Sequence, residues 1–354
     1  MDAERRSQLL FGKLRALTVS HFGDVTLERV AYFAGVAAFD AATQRLFVLV
    51  EAAQVDRDPL DIDPLGPRPP RGWLGGAMVA AVRSAATDLH LMGDGPLING
   101  EDGRRASRCN IETRCWSVVG RSLVMVEPDP LTIGLADDIA SLPPDERPFV
   151  AVINATQAVP IVEHGVLRAE VLGLEVGRVQ RDPETDQPHL AIGVGKHDRL
   201  AQSMMNAAAD PIIALREAVA AVLVHRRPGA GSHPANTVAR SRWLRELVMS
   251  SPEKFGFSGP CERISSTVVT DLKINGVAHL TAHRDGMAVL IGCVAGVDLD
   301  APSDLLDTAA RVDIRDVFLL IPTADLFPAV RVACDTLTPT PGLIPVGSPF
   351  SEAE

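Results

Sequence analysis

Aromatic side chains make up only 4% of this 354-residue chain, with a single tyrosine and three tryptophans. The cores must therefore be built from Val, Leu, Ile and Ala, since there are too few rings to fill them. No apolar run reaches the roughly 18 residues that a bilayer crossing requires. The opening MDAERRSQLL has no apolar stretch of signal-peptide length, so the expectation is a cytoplasmic chain without a membrane partner. Cysteine is sparse too: Cys109, Cys115, Cys261, Cys293 and Cys334 each stand alone. An odd number without short metal-type spacing argues against structural zinc and for reduced, mostly buried thiols. The segment GVGKHD lacks the spacer and the Gly-Lys-Ser/Thr ending of a phosphate loop, and there is no Gly-x-Ser-x-Gly nucleophile elbow. Positive charge is in deficit: the net charge of −11 opposes non-specific nucleic-acid binding, which needs a positive field.

What is present is ordinary globular composition, 46% hydrophobic and 22% charged, in a chain too long for one core. The first part reads as a helix (SQLLFGKLRALT), a hairpin (VAYFAGVAAFD and RLFVLVEAAQV), then helix, strand, helix and strand or hairpin through residue 126. Between hairpin and helix, DRDPLDIDPLGPRPPRG is dense in proline and aspartate and reads as an exposed loop or lid. Residues 127–148 form an acidic, proline-rich linker. Residues 149–237 hold a central hairpin and helices, with PFVAVINATQAV ambiguous between helix and strand. Residues 238–346 repeat the first order: the helix VARSRWLRELVMSS, a hairpin over HRDG, then helix, strand, helix and strand, before a tail at 347–354. The fold class is α/β: two or three layered units with mixed sheets, internally duplicated around a central glycine-rich β-hairpin.

The stretch Glu163 to Arg199 stands out because it combines many charges with many glycines. It reads as two strands around the polar turn PETDQ, ending in Lys-His-Asp-Arg where a helix begins. Alternation puts Gly173, Glu175 and Gly177 on one face, with Gly193, Gly195 and His197 beside them. Glycines weaken a strand, so such a floor marks the close approach of something else. In one reading, a helix or neighbouring domain packs on the floor and Glu175 pairs with an arginine. In the other, Glu175, His197 and Asp198 are ligands or acid–base groups, joined by Glu163 and His164 from the preceding turn. Glu170 shares that face only if a bulge intervenes.

Helix, hairpin or three-strand meander, helix and strand is the core of the PD-(D/E)XK nuclease-like superfamily, which the central segment and both flanking units resemble. Glu175 sits where the family's first acid stands, and HLAIGVGK where its second strand stands, with Ala191 and Gly193 at the acid-x-lysine positions. The resemblance implies a divalent metal, Mg or Mn, held by Glu175 and Asp198 with Glu163 or Glu170 and activating water against a phosphodiester. Lys196 or His197 would then stabilise charge or move a proton.

Other clusters carry weaker signals. Arg240, Arg242 and Arg245 with Trp243, near His225, Arg226, Arg227 and His233, would form a basic nucleic-acid patch, or else a solvated face or partners for the chain's excess acid. Asp298, Asp300, Asp304 and Asp307 hint at a cation; helix capping by Asp300 or Ser303, with the remaining carboxylates solvated, is the alternative. His279 and His283 share parity on one strand. Two functions stay open: a nuclease-like enzyme or ligand-binding relative, and a non-catalytic structural or interaction protein, a homo-oligomeric scaffold, using the glycine floor for packing.

Overall fold

A computed structural model describes residues 3–53, 68–131, 138–205, 210–227, 229, 233–266, 276–347 and 350. The chain opens with α1 (Ala3–Phe22), followed by β1 (Leu27–Val30), β2 (Gly35–Asp40) and β3 (Arg45–Val50). Then come α2 (Trp73–Arg83), β4 (Asp88–Asp94), α3 (Gly100–Ala106), β5 (Glu112–Val119) and β6 (Ser122–Met125). The middle holds α4 (Pro148–Asn154), β7 (Val159–Glu163), β8 (Val166–Val171), β9 (Leu174–Arg181), β10 (Pro188–Ile192), α5 (Gly195–Met205), α6 (Pro211–His225) and α7 (Pro234–Thr237). The last third contains α8 (Arg240–Ser250), β11 (Ser258–Ile264), β12 (Ala278–Arg284), β13 (Met287–Cys293), α9 (Ala301–Arg311), β14 (Val317–Pro322), α10 (Pro328–Asp335) and β15 (Gly342–Val346). Helices and mixed sheets alternate in layers, as the α/β reading expects. The proline-rich loop expected after β3 lies mostly outside the described residues.

Two compact units result. The first takes residues 1–132, 297–310 and 326–342. Its sheet runs β1 to β6 in sequence order, with β3, β4 and β5 parallel and the other pairings antiparallel. Leu14 and Leu17 of α1 pack with Phe47, Leu49, Met92 and Trp116 on this sheet. Helix α2 is buried from Trp73 to Ala81, so it has no solvated face to balance its apolar one. Gly75 makes this burial feasible, because a Cβ there would stand 1.9 Å from the Leu299 carbonyl oxygen. The same approach lets Asp300 accept hydrogen bonds from the Gly72 and Gly75 N–H groups at 2.7 and 2.9 Å.

The aspartates around α9 are therefore not solvated. Asp298, Asp300, Asp304 and Asp307 are all buried. Arg71 pairs with Asp298 and Asp304, while Arg104 pairs with Asp307 at 2.8 Å and Arg105 with Asp304 at 3.4 Å. The hinted cation is supplied by guanidinium groups. Burial raises Asp300 to about 7, with Asp298 and Asp304 adding to the rise against the pull of Arg71 and the Gly75 N–H.

The second unit takes residues 133–296, 311–325 and 343–354. It holds two sheets: an antiparallel meander in the order β10-β9-β8-β7, and a five-stranded sheet running β11 to β15. The ambiguous segment near residue 150 resolves as helix α4, with strand β7 following it. Helix α8 joins the two sheets from within. Its Leu244 and Val248 enter the core of Leu280, Val289 and Ile291, while Arg242 and Arg245 reach the glutamates of β7 and β8. Of the readings open for this basic helix, pairing with the chain's acids is the one found for Arg242 and Arg245, and Arg245 is buried in its ion pairs rather than part of an exposed patch.

Candidate functional site: a buried arginine–glutamate lattice

The stretch expected to be one hairpin, Glu163 to Arg199, begins at the end of β7 and contains three strands, β8, β9 and β10. Two tight turns, His164–Gly165 and Leu172–Gly173, have positive φ at both central residues (53° and 73°, then 47° and 73°), matching the twist of the strands they connect. The backbone therefore reverses at Gly173, so residues 171 to 179 are not one continuous strand. A second consequence follows from register: Ala169 faces Gly177, but Glu170 faces Glu175, so a bulge lies between them. A bulge shifts the two-residue period by one and lets Glu175 and Arg178, three apart, meet on one face. Their contact is bidentate, at 2.6 and 2.8 Å.

Two glutamates are thus directly opposite one another, and Arg168 faces Arg178 in the same way. Like charges opposed across a ladder repel, so the arrangement holds only because opposite charges fill the diagonals and the space above. Glu175 contacts Arg168 at 3.6 Å and Arg199 of α5 at 2.9 Å. Glu163 accepts from Arg168 and from Arg242 of α8, both at 2.6 Å. Glu170 accepts from Arg242 and, at 3.3 Å, from Arg245. Arg245 also meets Glu246 at 2.9 Å, and Glu246 meets Arg263 of β11. The lattice ties β7, β8, β9, β11, α5 and α8 into one ionic system.

Burial pushes Glu163 upward, but Arg242 and Arg168 outweigh it and hold the carboxyl below its usual range. Glu175 follows the same pattern, with Arg178 the main opponent of burial. Burial lowers Arg242, yet Glu170 and Glu163 prevail and raise it. A general acid or base works best with a pKa near the operating pH. These glutamates are driven away from it, and their oxygens already accept from guanidinium groups.

The remaining expected site residues lie elsewhere. Lys196, His197 and Asp198 occupy the exposed first turn of α5 instead of extending β10. Asp198 accepts from the Val194 N–H at 2.7 Å, the local bond of a residue opening a helix. Gly193 and Gly195 also lie past β10, with φ of 134° and 82°, so they form the strand-to-helix corner rather than a flat floor. Gly173 marks the close approach of α8, since a Cβ there would stand 2.5 Å from the Arg242 carbonyl carbon, and Gly193 that of α5, where a Cβ would stand 2.8 Å from the Arg199 backbone nitrogen. Among the described residues, no group of three His, Cys, Asp or Glu side chains is arranged to hold a metal, the His279 and His283 strand included.

Arg226, one member of the expected basic patch, is 1% exposed. It donates to the carbonyls of Leu172, Ala235, Val238 and Ala239 and lies over the Trp243 ring at 4.8 Å. Burial lowers its pKa to about 10, which leaves it charged at neutral pH. One reading of the sequence paired Glu175 with an arginine, as found, but did not identify Arg168, Arg178 and Arg199 as the partners. The signal was legible in principle, because Arg168 and Glu170 are two apart on one strand and share a face.

No family model matches the chain, and no curated protein or solved structure matches it.

Proposed function

We propose that this chain is a non-catalytic structural or interaction protein in which the central meander is a packing surface for α8 and α5. The observation that carries this reading is the commitment of Glu163, Glu170 and Glu175 to arginines from three other elements or strands. A divalent cation would have to displace guanidinium groups from a buried site, leaving positive charges unpaired there. The approach of Arg242 to Gly173 supports the same reading, since the glycine is explained by a helix rather than a ligand.

The nuclease-like resemblance belongs to this proposal as a statement of ancestry. Residues 3–119 and 240–346 each run helix, three strands, helix, strand, helix, strand, and each sheet is ordered in sequence with its third and fourth strands parallel. That shared order supports an internal duplication. The five cysteines are all free, which supports a reducing, cytoplasmic setting.

Calorimetric titration with Mg²⁺ and Mn²⁺ tests the proposal, using wild type and Glu175→Ala. The expected result is no saturable heat from either metal. Saturable binding in the wild type that disappears in Glu175→Ala would restore the metal-dependent phosphodiesterase reading.

A further inference from the structure

The second unit contains a cavity of about 210 Å³ lined by Asn236, Thr237, Arg240, Trp243 and Phe350. This is smaller than the several hundred cubic ångströms of drug-sized sites, so its occupant would be small. Its walls join two aromatic faces to polar groups. Phe350 and Trp243 meet at 4.8 Å between ring centroids, and the Arg240 guanidinium lies 4.5 Å from the Phe350 centroid.

Three observations indicate the charge of a ligand. First, Arg240 is set apart from its neighbours: Arg242 and Arg245 are bound to glutamates, whereas no carboxylate among the described residues pairs with Arg240. A guanidinium stacked on a ring keeps its in-plane donors available for a planar or tetrahedral anion. Second, Arg240 opens the 11-residue helix α8, whose N-cap Ala239 provides no side-chain cap and whose first turn has no acid. The positive end of the helix dipole therefore has no negative side chain of its own. Third, Trp243 is 1% exposed, and its indole N–H has no acceptor. A buried donor without an acceptor is costly, and an anion seated beside it would supply one.

We propose that this cavity binds a small organic anion, a carboxylate or phosphate monoester on a flat apolar body. The acid group would bind at Arg240 and the start of α8, and the body would lie against Phe350 and Trp243. The proposal goes beyond the non-catalytic reading and does not depend on it, because it involves neither Glu175 nor a metal.

Calorimetric titration of the full chain with phenyl phosphate, benzoate and inorganic phosphate tests it. At least one of the aromatic anions should bind with one-to-one stoichiometry and more tightly than inorganic phosphate. Its affinity should fall by about tenfold or more in Arg240→Ala, the scale of a lost charge-assisted contact, and by less in Trp243→Phe. Arg240→Gln, which retains the side-chain stem over Phe350, should show the same loss if the alanine variant folds poorly. Tighter binding of phenyl phosphate would assign the site to phosphate monoesters, and tighter binding of benzoate to carboxylates. The proposal is overturned if neither aromatic anion binds, if inorganic phosphate binds as tightly as both, or if the Arg240 variants bind as the wild type does.

Discussion

Gly165 and Gly173 provide a matched experiment on the central meander. Both occupy the second position of a two-residue turn and both have a φ of 73°. They differ in what surrounds them: a Cβ on Gly165 would meet nothing within 4 Å, whereas on Gly173 it would meet the Arg242 carbonyl carbon at 2.5 Å and its Cβ at 2.6 Å. Alanine at either site places a side chain in left-handed backbone, at a cost of about 1–2 kcal/mol. Either change also removes the same freedom from the unfolded chain, so both terms cancel when the two variants are compared. The remainder is the contact with α8. Overpacking of this kind costs about 1–3 kcal/mol, and helix backbone does not yield as a flexible side-chain tip would. Gly173→Ala should therefore be less stable than Gly165→Ala by about 1–3 kcal/mol, read from urea midpoints at matched slopes. Equal loss in the two variants would mean that α8 does not rest on this turn, and the packing-surface reading would lose its support.

Glu170→Ala should cost about 3–5 kcal/mol, because Arg242 and Arg245 would lose a buried partner. Asp94→Ala breaks the exposed pair with Lys13 and should cost under about 1 kcal/mol in the same denaturation assay. The two units should also respond to pH in opposite directions. Burial raises Asp300 to about 7 and Asp102 to about 6, so between about pH 4 and 7 the folded chain holds protons that the unfolded chain has released. Stability of the first unit should fall as pH rises through that window. Amide exchange corrected for its intrinsic pH dependence should show α9 less protected at about pH 7.5 than at about pH 5.5, and Asp300→Asn should flatten the difference. In the second unit, Glu163, Glu175 and Glu246 are held below the usual carboxylate range against the effect of burial, so their contribution is present at neutral pH and lost on acidification.

Helices α1, α2, α6, α8, α9 and α10 were legible because apolar spacing and caps are local properties. The Asp285–Gly286 turn between β12 and β13 was legible for the same reason, its positive φ values being those such a pair favours. Strands β1, β7 and β11 were not. β1 is partly exposed, and β11 carries a bulge and little apolar alternation, so neither shows a clean two-residue period. In the central stretch, the turn at Leu172–Gly173 was hidden by the leucine, a residue that seldom adopts a positive φ. Missing that reversal misplaced every face assignment after it, including the relation of Glu170 to Glu175.

The sequence by itself determined most of the element types, the repeated helix, strand and helix order, and the presence of something close to Gly173. These follow from periodicity and from glycine's lack of a Cβ. Only the tertiary structure decided which charges meet. Arg242 is 72 residues from Glu170, and Arg71 is 227 residues from Asp298. At such separations, charge pairing carries no periodic signature. A carboxylate that will be bound by arginines therefore reads the same, along the chain, as one left open for a metal.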